Sequence, residues 1–424
     1  MKIQGTSLLA ACCAGAVLAG SAATGAAYAA PTPPSSVTTT PFTTPNTDGC
    51  PQKTTPPAPV DSSEVPAPGS TTPKPLTVPT PAVGGSQLGG CGLVLPQGAP
   101  AVPQDISSTA WLVTDIDTGA VLAAKDPHGR YRPASTIKVL LAIVALRTLD
   151  LDTVVIGTQA DADVDGTRVG IGPGGRYTNR QLMQALIMCS GNDAAHALAT
   201  QLGGDEAAVA KMNDLAKSLY LLDTRAATPS GLDGPGMSTS AYDLAAAFRE
   251  AMTIPLFAEL IHTEQVDFPG YPKDPKIPDD KDHPGFVIAN DNHLLYNYDG
   301  ALGGKTGFTD DSRHTFVAAA ERDGRRLAIT LLKGEVQPIR PWQQAARLLD
   351  YAFALPRDAT VGSLPSRNAN SPDPTAALAS PPPKQDAAPA ADSGSSTLRS
   401  ILLAAGILAV LALVLYVHRR TSRR

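Results

Sequence analysis

The sequence predicts an α+β domain that lies between two low-complexity segments of a 424-residue chain. Strand–turn–strand patterns occur near both ends of the region 104–356, and helical patterns fill the stretch between them. The flanking segments are rich in proline, serine, alanine and threonine, and this change of composition sets the limits of the domain. We therefore expect one α+β unit whose sheet joins the two ends of the region.

The first 29 residues have the pattern of a secretory signal peptide. A basic Lys2 precedes an apolar run of small residues, and Ala27-Tyr28-Ala29 fits the A-x-A cleavage pattern. The segment 30–103 is rich in Pro, Thr, Ser and Gly, so that it offers too little apolar surface to order itself. We expect a disordered arm. Cys50 and Cys91 bracket its proline-rich part, and the sequence leaves open whether they pair or stay free.

The region 104–356 contains alternating and helical apolar patterns in a defined order. The predicted elements are strands at 111–115 and 121–124 around a turn, a helix at 136–149, a helical stretch at 179–202 interrupted by Gly191, strands at 316–320 and 327–332 around Asp323-Gly324, and a helix at 342–353. Pro133 stands just before the first helix, where its fixed φ angle is favourable. About 250 residues of this kind are enough to bury one sizeable core.

The C-terminal end has the pattern of a membrane anchor. Residues 357–399 are a Pro/Ala-rich tether, residues 400–418 form a predicted transmembrane helix, and residues 419–424 are a basic tail. The apolar run 401–417 is hydrophobic on every face and would rise roughly 26 Å as a helix, which is adequate for a bilayer with snorkelling arginines. Basic residues after the span predict a cytoplasmic tail, with the catalytic domain on the extracytoplasmic side.

Composition excludes several classes of function. The net charge is −5 and no basic stripe occurs in the domain, which argues against a nucleic-acid partner. The seven histidines are scattered without an H-E-x-x-H pattern, so we predict no metal site. Gly304-Lys305-Thr306 matches the end of a phosphate-binding loop, but Asp299 stands where the first glycine is required. We therefore predict no cofactor.

Three short motifs in the domain supply the groups for acyl transfer without histidine. The first contains Ser135 and Lys138, which one helical turn places on the same face. A serine hydroxyl needs an adjacent base, and Lys138 can be that base only when burial and a nearby cation such as Lys305 lower its pKa. A helix N-terminus at Ser135 also aims free N–H groups at a developing oxyanion.

The second and third motifs complete this chemistry. In Ser190-Gly191-Asn192, Ser190 is expected to pass a proton to the departing amine, and Asn192 is expected to fix Lys138 and the substrate backbone. In Lys305-Thr306-Gly307, the lysine and threonine can bind a substrate carboxylate, while the glycine leaves room for the substrate backbone. Each motif alone is weak, because such short matches arise by chance.

The ordered set resembles the serine-type D-Ala-D-Ala carboxypeptidases, the low-molecular-mass penicillin-binding proteins. The resemblance covers roughly residues 111–353. It includes Pro133-Ala134 before the first motif, Asp193-Ala194 after the second, and the block Asn292-His293-Leu294-Leu295-Tyr296. It implies a penicilloyl-serine-transferase (β-lactamase-like) fold, with an antiparallel sheet flanked by helices and an all-helical lobe.

The resemblance also implies an activity, partners and roles for individual residues. Ser135 would attack the bond between two D-alanines of peptidoglycan stem peptides, and β-lactam antibiotics would act as inhibitors. The N–H groups of Ser135 and Phe308 would form the oxyanion hole, and Lys305, Thr306 and Gly307 would bind substrate. Arg340 falls where the family often has an arginine that also holds the carboxylate.

Two alternatives remain beside the carboxypeptidase. The first is a β-lactamase of the same fold, although the middle motif reads S-G-N rather than S-D-N and no convincing glutamate for deacylation is found. The second is a non-catalytic wall-binding or sensor protein that kept the fold, against which the intact set of motifs argues.

Overall fold

Strands from both ends of the catalytic region form one sheet in the computed structural model, which describes residues 42–365. The described residues from Thr43 to residue 365 belong to one unit. The strands are β1 Leu93–Val94, β2 Ala110–Asp115, β3 Ala120–Lys125, β4 Val154–Ile156, β5 Arg176–Thr178, β6 Gln265–Phe268, β7 Phe286–Ala289, β8 Ala301–Thr309, β9 Arg313–Arg322, β10 Arg325–Gly334 and β11 Gly362–Ser363.

The helices lie mainly between β3 and β8, as the sequence predicts. They are α1 Lys138–Thr148, α2 Gln159–Ala162, α3 Asn179–Met188, α4 Asn192–Gln201, α5 Asp205–Ser218, α6 Ala241–Ala251, α7 Pro255–His262, α8 His293–Asn297 and α9 Pro341–Phe353. Short 3₁₀ turns cover Ser86–Gly89 and Ala134–Ile137. No helix within 42–365 is both long and apolar enough to span a bilayer. The predicted signal peptide, the transmembrane helix, the basic tail and nearly all of the tether lie outside the described residues.

The main sheet is antiparallel, in the order β1-β3-β2-β10-β9-β8, with β11 paired to β3. Strands β2 and β10 meet at its centre, where Leu112 pairs with Thr330. This pairing confirms that the sheet joins the two ends of the region, and both predicted hairpins are present. Strand β8, which carries Lys305-Thr306-Gly307, lies at the edge of the sheet next to β9, and its other edge pairs with no further strand among the described residues.

Side chains that alternate along the central strands supply two cores, one on each face of the sheet. Leu112 packs with α1 and the helical lobe, whereas its neighbours Trp111 and Val113 face α9. Helix α1 is buried through residues 138–145, because it passes between the sheet and the lobe. The first motif therefore leads into a largely buried helix, which holds its side chains in place.

The predicted helical stretch 179–202 is two helices rather than one. Helix α3 ends at Met188 and α4 begins at Asn192, and Ser190 between them has a positive φ of 61°. A left-handed residue cannot continue a helix. The break therefore turns Ser190 and Asn192 out of the helical register and towards the first motif.

The prediction of a disordered arm over 30–103 is wrong for the described residues 42–103, which follow a defined path along the domain. The prolines and threonines of the arm form almost no strand or helix of their own. Their backbone carbonyls are bound instead by the domain. Buried Arg130 donates to the carbonyl oxygens of Thr54 at 3.1 Å and of Thr77 at 3.0 Å.

A disulfide and an ion pair add to these contacts. Cys50 and Cys91 are bonded, which settles the alternative that the sequence leaves open. Arg132 binds both carboxylate oxygens of Glu64 and also donates to the Pro57 carbonyl at 2.8 Å. The arm orders because the domain presents buried arginines to it, a source of stabilisation that the composition of the arm does not reveal.

Candidate active site

The predicted nucleophile, Ser135, lies on a strained turn at the start of α1. Ser135 is the second residue of the 3₁₀ turn Ala134–Ile137, and Ala134 before it has a φ of 46°. A left-handed alanine costs roughly 1–2 kcal/mol, which the surrounding packing must offset. The Pro133 carbonyl accepts a hydrogen bond from the Thr315 hydroxyl at 2.7 Å, and this contact fixes the turn against β9. Ser135 is thereby held at the junction of the sheet and the helical lobe.

Lys138 is completely buried, and its amine touches three oxygen atoms. Its Nζ lies 2.8 Å from Ser135 Oγ, 2.7 Å from Asn192 Oδ1 and 2.6 Å from the Ser230 carbonyl oxygen. Asn192 Oδ1 and the Ser230 carbonyl can only accept hydrogen bonds. A neutral amine has two N–H groups, which these two acceptors use. Its lone pair is then left facing the hydroxyl of Ser135, as a general base requires.

The electrostatics favour the neutral amine. Burial lowers the pKa of Lys138 well below its ordinary value, and the charge of Lys305 lowers it further, while Asp291 and Asp193 oppose the shift. Removing an ammonium group from water penalises its charged form, and a second cation adds to the penalty. The structure thus has a buried lysine whose pKa is lowered beside a second cation, as the sequence predicts, while the role of Lys138 as the base remains a prediction.

The second motif supports Lys138 from the opposite side. Asn192 is buried, and its Nδ2 donates to the Asp165 carbonyl at 2.7 Å while its Oδ1 accepts from Lys138. This double contact fixes the orientation of the amide. Ser190 lines the same cleft as Ser135, where a hydroxyl can reach a substrate, and its proton-relay role remains a prediction.

Asp193 is a structural member of the site whose role the motif analysis does not identify. Its buried carboxylate accepts hydrogen bonds from three successive backbone N–H groups, those of Val169 at 3.1 Å, Gly170 at 2.8 Å and Ile171 at 3.0 Å. The loop held in this way includes Thr167, which lines the cleft. A carboxylate directly after S-G-N at the start of a helix is the only sequence signal of this role.

Lys305 is brought close to the first two motifs but lies behind the surface of the cleft. It is fully buried, donates to the Thr306 carbonyl at 2.8 Å and lies 3.9 Å from Asp291 Oδ2. Burial is the largest effect and lowers the pKa of Lys305 below its ordinary value, while the charges of Asp291 and Cys189 partly oppose this shift. Thr306, whose hydroxyl donates to Asp291 Oδ2 at 2.8 Å, lines the cleft together with Gly307. Direct contact between Lys305 and a substrate carboxylate remains a prediction.

Gly307 allows the edge strand to approach the nucleophile. A Cβ atom at this position would lie 2.4 Å from Thr315 Oγ1, 2.9 Å from the backbone N of Ser135 and 3.1 Å from Ala134 Cβ. Contacts below 3.0 Å require something to move. The glycine of this motif therefore sets the distance between β8 and the Ser135 turn, in addition to making room for a substrate.

These groups meet in an open cleft of about 370 Å³. The cleft is lined by Ser135, Thr167, Ser190, Asp291, His293, Thr306, Gly307, Phe308, His314, Thr315, Phe316, Val336, Arg340, Pro341 and Trp342. Arg340 is exposed at the start of α9 and supplies a cation on the cleft wall. Phe308 is 47% exposed, and its ring centroid lies 4.7 Å from that of His314. The volume and the mixed polar and aromatic lining suit a small peptide.

The Ser230 carbonyl and Asp291 are the other contributors that the motif analysis misses. A backbone carbonyl has no sequence signal, although Ser230 accepts from Lys138 as closely as Asn192 does. Asp291 stands directly before the block Asn292-His293-Leu294-Leu295-Tyr296, which is the only signal that could have found it.

Comparisons with known proteins agree with this geometry. A family model described as D-alanyl-D-alanine carboxypeptidase, peptidase S11, matches residues 97–335. D-alanyl-D-alanine carboxypeptidase DacB2 of Mycobacterium tuberculosis is 46% identical over 275 residues, which are 64% of this chain and 90% of that protein. DacF of Bacillus subtilis is 30% identical over 57% of this chain and 61% of its own length.

Solved structures share the fold. A crystal structure of D-alanyl-D-alanine carboxypeptidase from M. tuberculosis has a TM-score of 0.59 and 45% identity, and covers 64% of this chain and 100% of that one. The Streptomyces K15 DD-transpeptidase has a TM-score of 0.55 and 28% identity, and covers 60% of this chain and 100% of its own. These neighbours have the β-lactamase-like fold that the motifs imply, with mixed α and β content.

Proposed function

The chain belongs to the D-alanyl-D-alanine carboxypeptidase family, and from this premise we propose that Ser135 is the nucleophile with which it removes the terminal D-alanine of peptidoglycan stem peptides. The activity is that of a serine peptidase acting in cell-wall metabolism. One observation supports the residue assignment above all others. The Lys138 amine, completely buried, lies 2.8 Å from Ser135 Oγ with its two N–H groups directed to other acceptors.

The first half of the reaction forms an acyl-enzyme. Ser135 Oγ attacks the carbonyl carbon of the penultimate D-alanine while Lys138 Nζ takes the hydroxyl proton. The negative oxygen of the tetrahedral intermediate is stabilised by the backbone N–H groups of Ser135 and Phe308, a type of contact worth about 2.7–4 kcal/mol per donor. The C–N bond then breaks, and Ser190 passes the proton from Lys138 to the departing amine.

The second half releases the shortened peptide. A water molecule attacks the ester carbonyl of the acyl-enzyme, and Lys138 accepts its proton. Collapse of the second intermediate breaks the C–Oγ bond and returns a proton to Ser135. The same nucleophile opens a β-lactam ring, whose amide occupies the place of the scissile bond, and gives a stable ester.

The substrate carboxylate binds at the cleft wall that carries Thr306 and Arg340. The Thr306 hydroxyl, which donates to Asp291 in this structure, can turn its proton towards a bound carboxylate, and Arg340 supplies a fixed positive charge at the start of α9. Lys305, buried behind Thr306, contributes its charge at short range. This cluster of cations favours substrates that end in a free carboxylate.

The proposed location is the outer face of the cell membrane, with residues 401–417 as a single span. The signal-peptide pattern of residues 1–29, the apolar run and the basic tail support this proposal. The Cys50–Cys91 bond also fits an oxidising compartment. Removal of the chain from Leu398 onward is expected to release active enzyme from membrane fractions. Continued sedimentation of the shortened protein with membranes would contradict a single anchor.

The residue assignments are tested with Ser135→Ala and Lys138→Ala in the full chain, with Lys217→Ala as a matched control. Lys217 is exposed in the last turn of α5, far along the chain from any motif. We expect the first two variants to lose D-alanine release from a synthetic pentapeptide and the control to keep it. Retained release by Ser135→Ala would refute the nucleophile. A labelled β-lactam separates the alternatives, because rapid drug turnover indicates a lactamase and absence of a Ser135 adduct indicates a binding protein.

A further inference from the structure

A cluster of three carboxylates lies outside the reaction cleft, where the arm crosses the domain. Glu64 of the arm, Asp233 and Asp311 each offer one carboxylate oxygen, and these oxygens all lie within 4.8 Å of one another. None of the three lines the cleft described above. Three carboxylates at this distance repel one another unless positive charge is placed among them.

Two carboxylate oxygens of the cluster are buried without a partner. Asp311 is 6% exposed, and its Oδ1 accepts a hydrogen bond from the Val60 N–H, but its Oδ2 has no hydrogen-bond partner. Oδ1 of Asp233 is likewise buried and unpaired. A buried acceptor left unsatisfied costs about 1–3 kcal/mol, and more when it is charged. These two atoms are therefore open positions for a ligand that accepts electron pairs.

The charges around the cluster do not cancel. Arg132 binds both oxygens of Glu64, one at 2.8 Å, and so supplies a single positive charge. Three carboxylates and one guanidinium leave two negative charges. Arg132 also donates one N–H group to the carbonyl of Pro57, so that its guanidinium is held against the arm.

We propose that Glu64, Asp233 and Asp311 bind one divalent hard cation, for which Ca²⁺ is the best fit. Calcium takes oxygen ligands in a flexible geometry and fills its remaining positions with water. Magnesium requires a near-ideal octahedron and keeps several of its waters, which suits a carboxylate already bound to an arginine less well. A double positive charge neutralises the cluster and supplies a partner for both unpaired oxygens.

The cluster lies where the arm meets segments of the domain that carry active-site groups, so that a bound ion would connect them. Arg132 lies three residues before Ser135, Asp233 lies three residues after Ser230, and Asp311 follows the end of β8 at Thr309. Each of the three segments also carries a group of the active site. An ion bound here joins the arm to all three segments at once, and its binding is expected to stabilise them together.

The proposal is tested on the full chain, freed of metal with EDTA and titrated with CaCl₂ by calorimetry. We expect one Ca²⁺ per chain and a higher unfolding temperature with Ca²⁺ than with EDTA. Asp311→Asn keeps the shape and the acceptor for Val60 but removes a charge, and it should weaken Ca²⁺ binding at least tenfold. Asp310→Asn is the matched control, since Asp310 is adjacent but exposed, and it should bind as the unchanged chain does.

A second variant keeps the test decisive when Asp311→Asn fails to fold. Glu64→Gln alters the arm only and should also weaken binding at least tenfold. No heat of binding and no shift in unfolding temperature would overturn the proposal, as would Ca²⁺ binding that neither variant alters. Mg²⁺ binding as tightly as Ca²⁺ would overturn the choice of ion. All of these readouts are independent of D-alanine release, so that failure of the peptidase assignment would not affect them.

Discussion

The substitution Gly307→Ala tests whether the approach of β8 to the nucleophile limits catalysis. The new Cβ would lie 2.4 Å from Thr315 Oγ1 and 2.9 Å from the Ser135 backbone N, whereas ordinary contacts are 3.4–4 Å. The Thr315 hydroxyl is held by the Pro133 carbonyl at 2.7 Å, and the Ser135 nitrogen is backbone. The strand or the turn must therefore move by roughly 0.5–1 Å. A misplacement of about 1 Å can cost around 10²-fold in rate.

We expect Gly307→Ala to lower kcat/KM for D-alanine release by about 10²-fold, with a similar loss in the rate of acylation by a labelled β-lactam. Gly49→Ala is the matched control, because Gly49 has no atom within 4 Å of the added Cβ and no positive φ. The double variant Gly307→Ala/Thr315→Ala relieves the first clash only, and should remain impaired. A Gly307→Ala enzyme with unchanged kcat/KM would refute the reasoning, as would full recovery in the double variant.

Two further predictions concern the groups around the site and the arm. Asn192→Ala removes one acceptor of the buried Lys138 amine. A loss of about 1–3 kcal/mol of transition-state stabilisation corresponds to a roughly 5- to 150-fold slower acylation, which stopped-flow measurements can detect. An unchanged acylation rate would contradict the role of the Asn192 amide. His128 donates to the Val83 carbonyl of the arm and to Asp223; burial lowers its pKa, but the hydrogen bond and charge of Asp223 outweigh this effect and raise it above the ordinary value. The stabilisation is therefore complete below about pH 6.5 and is lost as the pH rises through the folded-state pKa, so that the unfolding temperatures of the unchanged chain and His128→Gln should converge at alkaline pH. A difference that is constant with pH would contradict this assignment.

The elements that the sequence predicts are those with a local pattern. Alternation identifies both hairpins around the sheet, and an apolar run identifies α1, because each pattern depends on neighbours in sequence. The break at Ser190 was placed within a residue or two by Gly191. The predicted helix over 136–149 includes the last two residues of the 3₁₀ turn Ala134–Ile137, since hydrophobic spacing does not distinguish the two geometries.

The motifs predict which distant residues meet, because the chemistry of acyl transfer specifies residue types even where the contacts are not local. Ser135, Lys138 and Asn192 meet as the motifs imply, and their meeting follows from ordered spacing rather than from periodicity. The contact between the Ser230 carbonyl and Lys138 cannot be predicted from the sequence, because every residue has a backbone carbonyl. The clustering of Glu64 and Asp311 has no sequence signal either, because an acidic residue on a polar segment resembles any solvated carboxylate until its neighbours in space are known.

The order of the arm cannot be predicted from its composition, for a physical reason that applies beyond this chain. A proline-rich segment has few apolar side chains and few N–H donors, so its composition argues against an independent core. It nevertheless has carbonyl oxygens in abundance. Arg130 and Arg132, buried in the domain, use these oxygens as acceptors, and neither arginine has a sequence feature that marks it as a docking group.

The path of the arm has a practical consequence for where the folding unit begins. The match to the family model starts at residue 97, after both members of the Cys50–Cys91 bridge. A recombinant fragment cut at that point would leave the buried Arg132 without Glu64 and the Pro57 carbonyl, and Arg130 with Asp223 but without the carbonyls of Thr54 and Thr77. Such a fragment would keep every residue of the reaction and still be poorly soluble, because the missing arm covers buried groups of the domain and does not merely connect it to other segments.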